Sequence, residues 1–354
     1  MDKTTLKLPN GNIVEAMAPV VVSASRSTDI PAFYARWFIE RLKAGYVVWY
    51  NPFNNRPTYV SFKNCKVVVF WTKNPRPIIP LLGELDKRGI HYYFQHSMND
   101  YDQERFEPNV PSIEKRIETF KELSSMIGRE RIIWRFDPLV ITPHLGIDEL
   151  AKRIERIGEG IKGCTDKLVF SFIDINAYRK VQNNMVKETG LFTKEDIGSW
   201  EFSVQQMEAM AMRLAALRDR WAAEGWKIEL ATCGEAFDLD KYNILHNRCI
   251  DPELMKRVFA HDEDLVCYLN YGELRRPADL SLFAFEDNTR NPLTEKQLKD
   301  KGQRKECGCM VAKDIGMYNT CSHFCVYCYA NTSKEIVIKN RQKHTIDSES
   351  IICR

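Results

Sequence analysis

Six short runs rich in β-branched and aromatic residues recur along the chain, with stretches of helical periodicity between them. The runs are Pro19–Ser25 (PVVVSAS), Lys66–Trp71 (KVVVFW), His91–Gln95 (HYYFQ), Arg131–Phe136 (RIIWRF), Lys167–Ile173 (KLVFSFI) and Lys227–Ala231 (KIELA). Helical patterns lie over Ala32–Lys43, Ile78–Lys87, Ile113–Ile127, Ile147–Ile161 and Glu201–Glu224. The third begins after Pro111-Ser112 and stops at Gly128, as helix boundary chemistry favours. Strands alternating with crossover helices call for a parallel sheet with helices outside it, open or closed into a partial barrel. The expected fold is therefore α/β: a partial (β/α) barrel of about six parallel strands with outer helices over residues 1–286. Residues 287–354 read as a separate cysteine-rich segment. A turn-forming stretch, Asp287-Asn288-Thr289-Arg290-Asn291-Pro292, marks the boundary.

Each strand ends in a polar, reactive tail. The tails are Ser25-Arg26-Ser27-Thr28-Asp29, Thr72-Lys73-Asn74, His96-Ser97, Arg135-Phe136-Asp137, Ser171-Phe172-Ile173-Asp174 and Thr232-Cys233-Gly234-Glu235. In α/β barrels the reactive residues gather at the carboxyl ends of the strands, where the βα loops converge. Any one tail reads equally well as a helix cap or a turn, as with Asp29 before Pro31 or Asp137 before Pro138. Six together point to one common mouth. Arg26, Lys73 and Arg135 are candidates for gripping an anion, because a fixed guanidinium holds a carboxylate through two bonds.

The cysteines are the second constraint. Six of the eleven fall in the last 48 residues, and Cys321, Cys325 and Cys328 stand in the order C-x-x-x-C-x-x-C. A cubane iron–sulfur cluster normally takes four cysteines, so three in one loop suggest an iron left open for a substrate or cosubstrate. The same spacing also makes one face of a helix, and free cysteine is commonly buried as a small hydrophobe. Gly308, Gly316, Asn319 and Thr320 around it read as loop instead, which favours ligation. Cys233, Cys249, Cys307 and Cys309 offer four more thiolates, enough for a second cubane or a tetrahedral zinc. Iron–sulfur is preferred there because the first centre reads as iron. The Cys307-Gly308-Cys309 pair alone is also compatible with a redox dithiol or a plain turn. Cys65, Cys164, Cys267 and Cys353 read as isolated thiols. A tail with so little hydrophobic periodicity is more easily ordered by a metal centre than by a core of its own.

Composition narrows the setting. A formal charge of +3 on 354 residues neither argues for nucleic acid nor excludes it. The longest apolar run, Val67–Trp71, is far too short for a membrane span, and Met1–Pro9 is too short and polar for a signal peptide. Sparse, clustered cysteines fit a reducing compartment, so a cytoplasmic protein is expected. His91 and His96 straddle a strand as ordinary barrel residues, and His323 lies inside the cysteine loop.

The run Cys321-Ser322-His323-Phe324-Cys325-Val326-Tyr327-Cys328-Tyr329-Ala330 resembles the signature of radical S-adenosylmethionine enzymes, in the version of the spore photoproduct lyase branch. Ser25–Asp29, Thr72-Lys73-Asn74-Pro75 and Glu107-Pro108-Asn109-Val110-Pro111 are similar to motifs that follow the cysteines in that branch; here they precede them, as if the chain were circularly rearranged. Taken whole, the sequence resembles a bacterial family, domain-of-unknown-function family 1848, through Phe70–Pro75 (FWTKNP), Trp134–Pro138 (WRFDP), Gly302–Arg304 (GQR), Cys307–Cys309 and the terminal cluster. The resemblance implies one 4Fe–4S cluster, or two, with S-adenosylmethionine as cosubstrate, and an electron donor such as a flavodoxin or ferredoxin. It implies that Cys321, Cys325 and Cys328 are cluster ligands and that Tyr327 packs beside the adenine; from their place on the strand tails, Thr28, Asp29, Asp137 and Ser171 are candidates to reach ribose or amine. The substrate, small molecule or macromolecule, is left open. Two other functions stay in view. One is an iron–sulfur or zinc protein whose centre only staples the tail. The other is a nucleic-acid-acting repair or modification enzyme, for which Lys334, Lys339, Arg341 and Lys343 form a weakly basic tail.

Overall fold

The computed structural model describes residues 1–274 and 291–353. The boundary expected between positions 286 and 287, in the Asp287–Pro292 turn, therefore falls outside the described residues except for its last two positions.

The chain opens with β1 (Asp2–Lys7) and β2 (Ile13–Ala18) and then enters β3 (Val21–Ala24). After a helix over Ala35–Ala44 come β4 (Tyr46–Tyr50) and β5 (Pro57–Ser61). Five strands follow at intervals: β6 (Val67–Thr72), β7 (His91–Ser97), β8 (Ile132–Leu139), β9 (Lys167–Phe172) and β10 (Glu229–Thr232). Two short ones complete the set, β11 (Ile244–His246) and β12 (Lys313–Asp314). Eight of these form one sheet in the order β11-β10-β9-β8-β7-β6-β3-β12, and every neighbouring pair is parallel. All six expected strands lie in it. The sheet exceeds the expected six by its two edges, of three and two residues, too short to carry a pattern of their own.

A second sheet, β1-β2-β5-β4, was not expected. Its β4 is written plainly as YVVWY between Gly45 and Asn51-Pro52. A reading keyed to crossover helices passes over it, because β4 pairs antiparallel with β5 outside the main sheet.

The parallel strands are buried on both faces, as parallel sheets require. Val68, Phe70, Tyr92, Phe94, Trp134, Phe136, Leu168 and Phe170 pack with Trp37, Phe120, Ile154, Leu214 and other residues of the outer helices. The alternate set, Val67, Val69, Tyr93, Ile133, Val169 and Ala231, packs instead with Ile250, Leu254, Met255, Phe259 and Leu265 and with Leu298, Cys309 and Met310. The outer helices are Ala35–Ala44, Ile113–Ile127, Ile147–Gly160 and Val204–Ala223. The last begins three residues later than its pattern, at Val204, and its N-cap Ser203 forms a capping box with Gln206. The pattern over Ile78–Lys87 does not become one helix. It splits into a tight turn at Ile79–Leu81 and a short helix at Gly83–Asp86, because Pro80 lacks the N–H a continuous helix would need. Helices at Arg179–Thr189, Pro252–Val258, Glu263–Tyr271 and Lys334–Arg341 add to the expected set.

The C-terminal segment packs into the main core rather than around a core of its own. Ile315, Met317, Val326, Ile351 and Ile352 are buried in the main core. The Tyr34 hydroxyl donates to the Thr320 carbonyl at 2.7 Å, Trp37 Nε1 to Ser348 at 2.8 Å, and the Val48 N–H to Glu349 at 2.7 Å. Among the described residues no helix is long and apolar enough to cross a membrane.

Candidate functional site

The sheet's alternation explains where the reactive side chains collect. Along the strands, Val67-Val69-Trp71, Tyr93-Gln95-Ser97, Ile133-Arg135-Asp137, Val169-Ser171 and Ala231-Cys233 follow one parity and therefore one face. Each row is apolar where its strand begins and mostly polar where it ends. Above the polar ends lies a cavity of about 1330 Å³. All fifteen candidate residues line it: Arg26, Thr28, Asp29, Lys73, Arg135, Asp137, Ser171, Tyr327, and the seven cysteines 233, 249, 307, 309, 321, 325 and 328. Of Trp71, Tyr92, Tyr93, Phe94, Trp134 and Phe136, only Trp71 faces this space; Tyr92, Phe94, Trp134 and Phe136 point to the outer helices, on the opposite parity, and Tyr93 lies lower on the inner face.

The three-cysteine loop follows β12, which pairs in parallel with β3 and so delivers the loop to the same end as the other strand exits. Residues 321–330 form turns and no helix, so the helical-face reading of the spacing fails. Phe324 has φ +56°, a conformation that a bulky side chain rarely adopts, and it reverses the chain between Cys321 and Cys325. Two polar anchors hold the loop. His323 Nε2 meets Asp29 Oδ2 at 2.7 Å. Asp29 Oδ2 also accepts the Lys73 N–H at 2.8 Å, while Oδ1 caps the helix at Ile30–Phe33 through the Ala32 N–H. Asp29 is thus both cap and loop clamp.

The second anchor is Glu107, fully enclosed. Its Oε1 accepts from Lys73 Nζ at 2.7 Å, from Asn99 Nδ2 at 3.1 Å and from the Tyr327 hydroxyl; Oε2 accepts from Arg116 Nη1 at 3.4 Å. Burial alone would raise its carboxyl, but Lys73 and Arg116 outweigh it and hold Glu107 below the usual range. Burial would likewise lower Lys73, yet Glu107 keeps it above its ordinary value. Tyr327, buried, is pushed well above the usual phenol range, first by burial and then by Glu107. Burial also raises the three loop thiols, Cys321 to about 12. Cys325 is buried and Cys321 and Cys328 are half-buried; as thiolates the three would repel one another, and a cationic core would stabilise them in that form.

Arg135 is 2% exposed. It donates through Nε to Asp137 at 3.1 Å, through Nη1 to Gln95 at 3.1 Å and to the Cys249 sulfur at 2.9 Å. Asp137 also accepts from the Ser171 hydroxyl. The guanidinium groups of Arg135 and Arg26 both lie over the Trp71 ring, 5.3 Å from its centroid. Asp29, Lys73, Arg135, Asp137, Ser171 and Tyr327 therefore already have protein partners. Three polar atoms at the cavity do not: Thr28 Oγ1, Arg26 Nη2 and Trp71 Nε1 are buried without a hydrogen bond. Sequence reasoning missed Asn99, Gln95, Arg116 and Asp314, whose roles depend on neighbours far along the chain. Asp314 accepts from Ser23 Oγ and the Arg26 N–H, each at 2.8 Å, and so ties the edge strand to the first tail.

The second cysteine set also assembles. Cys233 leaves β10, Cys249 follows β11, and Cys307 and Cys309 come from the segment before β12. Cys233 Sγ and Cys249 Sγ are 3.4 Å apart. Cys249, and after it Arg135, holds the Cys233 thiol down to about 7 against its burial. Among the described residues no group of three or more histidines, cysteines or acidic residues is disposed to hold a single metal ion. Of the other thiols, Cys65 is buried and Cys353 is exposed at the cavity mouth.

A family model described as "Domain of unknown function (DUF1848)" matches residues 21–330, most of the chain. The chain belongs to the DUF1848 family. The match runs from β3 past Cys328, so the DUF1848 region contains the whole parallel sheet and all seven candidate ligand cysteines. No curated protein and no solved structure gives a match to this sequence.

Proposed function

We propose that this chain is an iron–sulfur enzyme of the radical S-adenosylmethionine type, with a 4Fe–4S cluster held by Cys321, Cys325 and Cys328. The observation that carries the reading is the place of the three-cysteine loop. It follows an edge strand, β12, and opens on a cavity lined by the polar ends of the next strands. In space the sheet runs β12, β3, β6, β7, β8, β9, β10, β11, so the cysteines follow the spatially first strand although they are late in sequence. This supports a circularly rearranged relative of the spore photoproduct lyase branch. The unreversed strand order has no switch point of the doubly wound kind, which supports a partial barrel.

When bound, such a cluster supplies a low-potential electron and an iron free of cysteine at which the amino and carboxylate groups of S-adenosylmethionine are held. The chain's own residues position the ligands. His323 on Asp29 fixes the first half of the loop, and Tyr327 on Glu107 fixes the residue beside Cys328. Of the unpartnered polar atoms at the cavity, Thr28 Oγ1 and Arg26 Nη2 are suited to a ribose hydroxyl and a carboxylate. Lys73, beside Cys325, balances charge at the loop. A flavodoxin or ferredoxin would serve as electron donor.

The staple reading draws less support, since the C-terminal segment is already held by core burial and hydrogen bonds. The nucleic-acid reading loses part of its basic tail: Lys334 pairs with Glu188 at 2.5 Å, and Arg341 lies over Phe33 and Tyr34.

The test is anaerobic reconstitution followed by paramagnetic resonance and an assay for 5′-deoxyadenosine. A signal that shifts on addition of S-adenosylmethionine, lost in the Cys321→Ala/Cys325→Ala/Cys328→Ala variant, is the expected result. An unshifted signal with no 5′-deoxyadenosine sinks the reading. Thr28→Val separates binding from folding. Because its hydroxyl has no partner in the folded chain, the substitution is expected to leave stability unchanged or raise it by up to about 1 kcal/mol. Calorimetric titration should nonetheless show S-adenosylmethionine binding about tenfold more weakly, the cost of roughly one hydrogen bond. Equal affinity would remove Thr28 from the site.

A further inference from the structure

We infer that Cys233, Cys249, Cys307 and Cys309 bind a second iron–sulfur cluster, held by four thiolates on the wall of the same cavity. The four come from three separate segments, yet form a continuous chain of sulfurs. Cys233 meets Cys249 at 3.4 Å, Cys249 is hydrogen-bonded to Cys309, and Cys309 to Cys307. Cysteines that merely fill a core are not brought together in this way from the ends of two strands and a distant loop.

Three donors point at these sulfurs. Arg135 Nη1 reaches Cys249 Sγ at 2.9 Å, Asn247 Nδ2 reaches it at 3.1 Å, and the Ile250 N–H reaches Cys309 Sγ at 3.4 Å. Hydrogen bonds to cysteine sulfur are one of the means by which proteins stabilise and tune thiolate-held clusters.

Charge supplies an independent argument. Arg26 faces Cys309 first, then Asp314, and then Cys249 and Cys307, so three of its four nearest acidic neighbours are these thiols. Its Nη2 is buried without a partner. Four thiolates around an iron–sulfur core leave a net anion, which would compensate this buried cation; four neutral thiols would not.

Two simpler occupants fit less well. A single ion needs its ligands converged more tightly than these are, and no such group exists among the described residues. A Cys233–Cys249 disulfide would leave Cys307 and Cys309 unexplained. With a cysteine for every iron, this cluster has no vacant position, so it is distinct in kind from the three-cysteine centre.

The two centres separate experimentally, because each has its own ligands. The full chain, reconstituted anaerobically, should hold about eight irons with matching sulfide, four per cubane. The Cys321→Ala/Cys325→Ala/Cys328→Ala variant should keep about four, and Cys307→Ala/Cys309→Ala should keep the other four with its signal still responsive to S-adenosylmethionine. A folded first-loop variant that holds no iron and sulfide, or holds zinc, overturns the inference. Should that variant not fold, Mössbauer spectra of the unmodified chain decide: two cubane populations support the second cluster, and one population of four irons overturns it. Failure of the first-loop reading would instead appear as loss of the responsive signal while four irons remain.

Discussion

Replacing Glu107 by glutamine is expected to destabilise the protein by about 3–5 kcal/mol, the usual cost of leaving a buried charge without its partner. The Glu107 side chain is 1% exposed, as is that of Arg116, and Lys73 is 15% exposed. Glutamine keeps the volume but removes the charge that compensates both cations. Its amide can also turn a donor toward Lys73 Nζ, now 2.7 Å from the carboxylate. Urea denaturation would measure the loss, and a change below about 1 kcal/mol would show that solvent or another group compensates the two cations. Adding Lys73→Met should recover much of the loss, since it removes the cation left without a carboxylate, whereas Arg116 keeps Asp102 at 3.6 Å; the two substitutions share a network and will not add. The expected damage extends to the loop, because Tyr327 and Lys73 both reach Cys325 and Cys328 through Glu107.

The same carboxylate sets an acid limit. Its pKa in the folded chain lies below the ordinary glutamate value of about 4.3. The stability it contributes is therefore fully present above that value and is lost as pH falls through the lower folded one. Asp137, lowered by Arg135 against its own burial, behaves in the same direction. Stability measured from neutral pH downward should fall below pH ~4.3, and more shallowly in Glu107→Gln than in the unmodified chain.

Much of this site is visible in the sequence because the parallel sheet has simple rules. Alternation puts Trp71, Arg135, Asp137, Ser171 and Cys233 on one face, and parallel pairing puts their strand ends together, so six polar tails converge without any knowledge of side-chain contacts. What escapes is the part decided by distant pairing. β12 is two residues long and exists only because Val22 and Ser23 accept it as a neighbour. Glu107 is legible as part of EPNVP, but its role as the common acceptor for Lys73, Arg116, Asn99 and Tyr327 depends on four separate segments. The polar residues expected to bind a cosubstrate illustrate the same limit. Residue type and strand position identify Asp29, Arg135 and Ser171 as site residues, and only packing shows that each is already held, Asp29 by His323 and Lys73, and Arg135 and Ser171 by Asp137.

Gly316→Ala is the substitution that most directly tests whether the cysteine loop must sit against the first strand tail. Gly316 follows β12 closely and donates its N–H to Asp314 Oδ1 at 2.9 Å. A methyl group there would overlap Ser25 Oγ outright, and would stand 2.5 Å from Ser25 Cβ and 2.6 Å from Ser27 Oγ. These are short, buried residues: Ser27 donates its hydroxyl to Asp314, Ser25 accepts the Ser27 N–H, and Ser23 Oγ holds Asp314 from β3. None is the far end of a flexible side chain that can swing aside, so β12 must separate from β3 or the tail must shift. Overpacking of this kind costs about 3 kcal/mol. Either movement carries the three-cysteine loop away from Thr28 and Arg26. The expected outcome is a lowered denaturation midpoint together with weakened S-adenosylmethionine binding in the reconstituted protein, even though residue 316 bears no side chain that could touch a ligand. Gly83→Ala, where an added methyl meets nothing within 4 Å, is the matched control and should leave binding unaltered. Normal stability and binding in Gly316→Ala would mean that the loop is not seated on the Ser25–Ser27 backbone, and the cavity as described would not be the site.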